Sequence, residues 1–184
     1  MKQIVLTASL LLATLVYAQK ETTLLPVLNS ADYAAEPAVA LLVGYGEVEK
    51  AYDGDYMYGV EISLACPALQ LSAYDIRQQV SLVYQSDHGL RMTSLEFNPH
   101  LLFHLDEKVQ LGVGPGFGVI MTDADESDVI LGINVGASLR YDIDATYFVG
   151  AEARYQWTTD AELSKGYERS LDNYRTLIKV GMHF

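Results

Sequence analysis

From Ala38 to Phe184 the chain alternates apolar and polar residues with a period of two, in eight separate stretches. A β-strand turns successive side chains to opposite faces, so each stretch carries two distinct surfaces. The first sets Val39, Leu41, Val43 and Tyr45 against Ala40, Leu42, Gly44 and Gly46. The second sets Tyr56, Tyr58, Val60, Ile62 and Leu64 against Met57, Gly59, Glu61, Ser63 and Ala65. The pattern holds to the last, where Tyr174, Thr176, Ile178, Val180, Met182 and Phe184 oppose Arg175, Leu177, Lys179, Gly181 and His183. The stretches run to about 9–13 residues. A tilted strand needs roughly 9–11 to cross a bilayer, whereas an average soluble strand has roughly 5–6. An even number of such strands, apolar outside and polar inside, specifies an all-β fold, a transmembrane eight-stranded antiparallel up-and-down β-barrel. A soluble barrel or sandwich would turn its apolar face inward, and a set rich in Gly, Ser, Glu, Arg and Gln makes a poor core.

Half of the 184 residues are hydrophobic, yet mean hydropathy is only +0.11, because the apolar residues are finely divided. Past the N-terminus nothing approaches the roughly 20 consecutive apolar residues of a membrane helix. Residues 1–18 read as a signal peptide. Lys2 is the positive n-region, Ile4 to Val16 the apolar h-region, and Val16-Tyr17-Ala18 the cleavage signal before Gln19. Residues 19–37 contain Pro26, Asn29, Ser30 and Pro37 and have no period. They are expected to form an N-terminal tail, with a short amphipathic helix at Ala31 to Glu36 as one form open to it. Residues 38–184 form the barrel. The formal net charge is −12, and losing the signal peptide removes one base and no acid. Such a chain offers no basic patch for phosphates, which excludes nucleic acid as a partner. The single cysteine, Cys66, cannot form an internal disulfide, and no second Cys or His lies near it in sequence to share a metal.

The connections alternate in size. Asp106-Glu107-Lys108 and Asp142 to Ala145 are short turns, whereas Glu49 to Asp55, Ser86 to Arg91, Thr122 to Asp128 and Thr158 to Asn173 are longer. Short periplasmic turns and longer external loops fit such a barrel. Cys66 to Asp75 is long where a short turn belongs, and Pro67 is expected to bend the second strand there. Aromatic residues give an independent check, since barrels carry girdles at both membrane surfaces. With the N-terminus periplasmic, Tyr45, Tyr56, Tyr58, Tyr84, Tyr155, Trp157 and Tyr174 fall at the external rim. Phe103, Tyr141, Tyr147 and Phe184 fall at the periplasmic rim.

The inward set holds Glu61, Glu96 and Glu152 with Arg77, Arg140, Arg154, Arg175 and Lys179. An unpaired buried charge costs several kcal/mol, so these residues are expected to form a salt-bridge network. Eight strands leave an interior just wide enough for side chains to fill, so the network should plug the lumen. A register facing Trp157 with Tyr174 would put Glu152 opposite Lys179 and Gln156 opposite Arg175. Gly112, Gly114, Gly116 and Gly118 strip one wall of side chains, leaving either a pocket or room for the long Arg and Glu chains opposite. Pro99 and Pro115 cannot donate ladder hydrogen bonds. They face each other if Leu105 pairs with Val109, and a bulge or local bend is expected there.

Catalytic and metal signals are thin. Ser86, Asp87 and His88 have the residue types of a triad without its geometry. His100 and His104 share a face about 13 Å apart along a strand, too far for one metal. Asp123, Asp125, Ser127 and Asp128 lack the Gly and closing Glu of an EF-hand loop. No catalytic residue, metal or cofactor is expected.

The ending Tyr174-x-Thr176-x-Ile178-x-Val180-x-Met182-x-Phe184 resembles the C-terminal assembly signal of outer-membrane barrels, with Val180, Met182 and Phe184 as its core. Together with the eight strands and the signal peptide, Ala38 to Phe184 resembles the small OmpA/OmpX-like barrel class. The resemblance implies a place in the bacterial outer membrane. Its implied partners are outer-membrane lipid and lipopolysaccharide, and the barrel-assembly machinery during biogenesis, with the surface ligand unspecified. It also implies a structural or surface-interaction role. With the chain ending at Phe184, no peptidoglycan-binding domain is expected. Three alternatives stay open: a narrow pore, weakly anion-preferring on five inward bases against three acids; a lipid-modifying enzyme, although no motif of the lipid A enzymes is recognisable; and an adhesin acting through Thr158 to Asn173.

Overall fold

The computed structural model describes residues 22–48, 54–71, 74–87 and 89–184. The signal peptide expected over 1–18, the start of the tail, most of the first external loop and His88 lie outside the described residues. Eight strands form one closed barrel: β1 (Ala38–Val48), β2 (Asp55–Ala65), β3 (Asp75–Asp87), β4 (Leu90–His104), β5 (Val109–Asp123), β6 (Ser127–Asp142), β7 (Tyr147–Thr158) and β8 (Asn173–His183). Each pairs antiparallel with the next, and β8 closes on β1 from Asn173↔Val48 to His183↔Ala38. Closure leaves no unpaired barrel edge, as a membrane-spanning sheet requires.

The apolar set faces out. Leu41 is 68% exposed, Leu131 61%, Ile133 59% and Ile178 59%, while inward Glu96, Asn98 and His100 are fully buried. A contiguous apolar surface of this size on a closed barrel is a lipid-facing surface.

The register corrects one expectation. Tyr174 pairs with Tyr155 rather than with Trp157. Glu152 therefore faces Leu177, Gln156 faces Asn173, and Lys179 faces Gly150. A two-residue slip leaves every side chain on its own face, so alternation cannot distinguish the two registers. The prolines do face each other in register, with Phe97↔Phe117 on one side and Leu101↔Val113 on the other. No extra residue enters either strand. The ladder lapses locally, and a Cβ on Gly114 would lie 1.9 Å from the Pro99 carbonyl oxygen.

Both short periplasmic turns use one aspartate. Asp106 accepts from the N–H of Lys108 (2.7 Å) and Val109 (2.8 Å), and Asp144 accepts from Thr146 (2.7 Å) and Tyr147 (2.8 Å). Two external connections are tighter than expected, because strand pairing runs on almost to the turns. β3 pairs with β4 out to Asp87↔Leu90, and β5 with β6 out to Asp123↔Ser127. The longest loop builds its own hairpin, Asp160–Ser164 with Tyr167–Ser170, around Gly166 at φ 75.

The tail is structured, contrary to its lack of period. Thr22–Leu24 pairs with Leu69–Leu71, and the helix falls at Pro26–Asn29, while 31–36 is irregular. The β2–β3 connection is long because it supplies that partner strand. β2 ends at Ala65, before Pro67.

Candidate functional site

The lumen is filled in three layers. At the external mouth, inward Val48, Leu90, Met92, Ile120 and Ile130 pack with Ala161, Leu163 and Leu171 of the folded-over loop. This loop is pinned at its base: the Thr158 N–H donates to Asp172 (2.7 Å) and the Leu171 N–H to the Thr158 hydroxyl (2.8 Å). Asp128 holds its flank by accepting from the N–H of Glu162 (3.0 Å) and of Val129 (2.7 Å). Those two backbone donors keep the Asp128 carboxyl below its ordinary value.

The middle layer is charged. Lys179 Nζ lies 2.5 Å from both Glu61 Oε2 and Glu152 Oε2. Arg154 donates to Glu96 (2.9 Å) and to Gln79 (3.0 Å), and its Nε forms an ion pair with Glu152. Arg175 also donates to Glu96. Six of the eight inward charges expected from the sequence meet here, three acids with three bases. Lys179 reaches Glu152 along a diagonal of the β7–β8 ladder instead of straight across. Arg154 and Arg175 are direct cross-strand partners, a repulsive arrangement by itself, and Glu96 bridges them from β4 on the far wall.

The glycines supply the room. A Cβ on Gly116 would meet Asn98 Oδ1 at 1.9 Å, one on Gly118 would meet Glu96 Cγ at 2.9 Å, and one on Gly136 would meet Arg154 Cγ at 2.8 Å.

The remaining two bases stand apart, at the periplasmic mouth. Arg140 pairs with Asp142 (3.0 Å), and Arg77 lies 3.5 Å from Glu36. The imbalance of five bases over three acids is therefore local bookkeeping only, since each outlying arginine has its own acid. Glu36 belongs to a strap, residues 31–36, that crosses this mouth and is tied by the Tyr33 hydroxyl to the Ala65 carbonyl (2.9 Å).

Sequence reasoning missed Glu36, Asp142 and the external apolar layer. The first two lie in segments read as tail and turn. The third had a signal: Val119-Ile120-Met121 and Val129-Ile130-Leu131 are apolar on both faces. Of the triad-type residues Ser86, Asp87 and His88, the last lies outside the described residues. The two histidines weighed as a metal pair have separate surroundings: His100 is buried against the Ser138 hydroxyl (2.9 Å), while His104 sits at the mouth near Asp75 (3.8 Å). Asp123 is engaged by Arg91 (2.6 Å). Among the described residues, no group of His, Cys, Asp and Glu is placed to hold a metal ion.

Many of the outward aromatic residues cluster toward the two ends of the strands, while Phe97 and Phe117 stack at mid-strand (5.2 Å). Tyr45 pairs with Tyr56, and Tyr58 with Tyr84 at 5.2 Å between ring centroids. Tyr155 packs on Trp157 at 4.7 Å, next to Tyr174. Tyr141 and Tyr147 are exposed near the opposite end, as is Phe184 of the C-terminal set Val180, Met182 and Phe184, all of which point outward.

An apolar exterior and a filled polar interior define an eight-stranded transmembrane β-barrel, and the fold is that of the small outer-membrane barrels. The crystal structure of Neisserial surface protein A matches with a TM-score of 0.58 at 12% identity, over 80% of this chain and 96% of that one. Ail, the attachment invasion locus protein of Yersinia pestis, matches with a TM-score of 0.53 at 12% identity, over 82% and 99%. The outer membrane enzyme PagL matches with a TM-score of 0.50 at 19% identity, over 77% and 97%. The chain matches no protein-family model and no curated protein sequence.

Proposed function

We propose that the protein is an integral barrel of the bacterial outer membrane with a sealed lumen, and that it acts through its external surface and its structure. Closure of the lumen at three levels carries this reading: apolar loop packing outside, a balanced ion network in the middle, and a strap at the periplasmic mouth. Its apolar belt is set against outer-membrane lipid and, externally, lipopolysaccharide. Val180, Met182 and Phe184 form the signal for the barrel-assembly machinery. The hairpin between β7 and β8 is the largest external feature, and so the part best placed to meet a surface ligand. Two fold neighbours, Neisserial surface protein A and the attachment invasion locus protein Ail, are in keeping with such a role.

A narrow anion pore has less support, because the two bases beyond the central balance are paired with Asp142 and Glu36. Planar-bilayer recording decides the matter. The sealed reading expects no steady current from folded protein, and none from Lys179→Ala. Reproducible anion-selective steps that Lys179→Ala alters would replace it with the pore. Unchanged lipid A mass on expression is the matching expectation against a lipid-modifying enzyme.

A further inference from the structure

The periplasmic mouth encloses a cavity of about 200 Å³ between the strap, the β2–β3 connection and the lumen floor. Its charges are sorted by depth. Arg77 and Arg140 lie at the floor, with side chains 8% and 16% exposed. Asp32 and Asp75 line the rim, with the Asp75 side chain 73% exposed.

Arg140 is committed to Asp142 by two contacts, at 3.0 and 3.3 Å. Arg77 is under-used. One of its terminal nitrogens donates to the Glu36 carbonyl (3.2 Å) and to the Ser63 hydroxyl (3.3 Å). The other stands 3.5 Å from the Glu36 carboxylate, well beyond the roughly 2.7–2.9 Å of a charge-assisted bond. Its Nε has no partner among the described residues. Glu36 sits at φ 45, a left-handed backbone unusual for a residue with a side chain, and its carboxylate is 68% exposed. The acid that partly neutralises Arg77 is thus loosely placed and open to displacement.

We propose that this cavity binds a small zwitterion, an amino acid or a dipeptide. The ligand's carboxylate takes Arg77 in competition with Glu36, and its ammonium faces Asp32 and Asp75. A buried guanidinium whose terminal nitrogen holds only an exposed carboxylate at 3.5 Å calls for a closer oxyanion. The rim acids reject a purely anionic ligand and suit one with a cationic end. The volume falls below the roughly 300 Å³ at which drug-sized pockets begin. The inference does not depend on whether the lumen conducts.

The test is titration of the folded protein in nanodiscs with L-alanyl-L-alanine, following the Arg77 Nε–H resonance by NMR, with acetate and ethanolamine as half-ligands. The dipeptide is expected to shift that resonance saturably and each half-ligand to bind more weakly. Arg77→Gln lacks that resonance and is titrated by calorimetry beside the parent protein; it should show no saturable heat of dipeptide binding, judged on protein that keeps the gel mobility of a closed barrel, and dipeptide binding that survives in it overturns the proposal. Glu36→Gln should tighten binding roughly two- to fivefold, the effect of removing one exposed competing ion pair. No saturable shift at tens of millimolar dipeptide overturns the proposal, as does unchanged affinity in Glu36→Gln. Acetate binding as tightly as the dipeptide also overturns it, leaving an anion site alone.

Discussion

Glu96→Gln tests the central layer most directly. Glu96 is fully buried and holds Arg154 and Arg175 together, two guanidinium groups that the β7–β8 register places directly opposite each other. The substitution nearly preserves volume and hydrogen-bonding capacity, so charge is the variable. It converts a balanced set of three acids and three bases into one with a surplus positive charge. Removing one partner of a buried ion pair costs about 3–5 kcal/mol. The upper part of that range is expected here, since two arginines lose their shared acid and only Arg154 retains another, Glu152. The assay is reversible urea unfolding from lipid vesicles, comparing midpoints at unchanged slope. The double variant Glu96→Gln/Arg175→Gln restores neutrality and should recover most of the loss, giving a coupling energy of roughly 2–3 kcal/mol. A single-variant cost below about 1 kcal/mol, or a double variant as unstable as the summed singles, would refute the view that charge balance holds this layer.

Gly114→Ala places a methyl group 1.9 Å from the Pro99 carbonyl oxygen, where only backbone can give way. A loss of about 1–3 kcal/mol is expected in the same unfolding assay, and an unchanged midpoint would mean that the strands separate freely at the prolines. At the external mouth, Asp128→Asn weakens the hold on the hairpin, so trypsin should cut after Lys165 several-fold faster at neutral pH; equal rates would sink the role given to Asp128. The depressed Asp128 carboxyl also sets a direction with pH. Its contribution is complete above its ordinary value of 3.8 and is lost as pH falls through the lower folded value. Cleavage by an acid-active protease should therefore stay slow at pH 5 and rise only in strong acid.

The two strand faces, the even strand count and which charged side chains face inward were legible in the sequence. Period two maps directly onto faces, and a membrane barrel tolerates few exceptions to apolar-out. The paired prolines were legible too, because a short turn fixes register by counting. What the sequence could not decide were distances across the lumen and registers across long loops. Tyr174 against Tyr155 or against Trp157 gives the same faces, and only the folded β7–β8 loop selects between them. The Glu96 bridge joins β4 to β7 and β8 through the lumen, a contact that exists only once the sheet has closed. The division of the eight charges into a balanced core and two outlying pairs needed Glu36 and Asp142, which no alternation marks. The strap and the folded-over hairpin pack on the barrel through tertiary contacts without period, so local pattern could not place them. Sequence thus determined which side of the wall each residue occupies, and the closed barrel determined what it meets there.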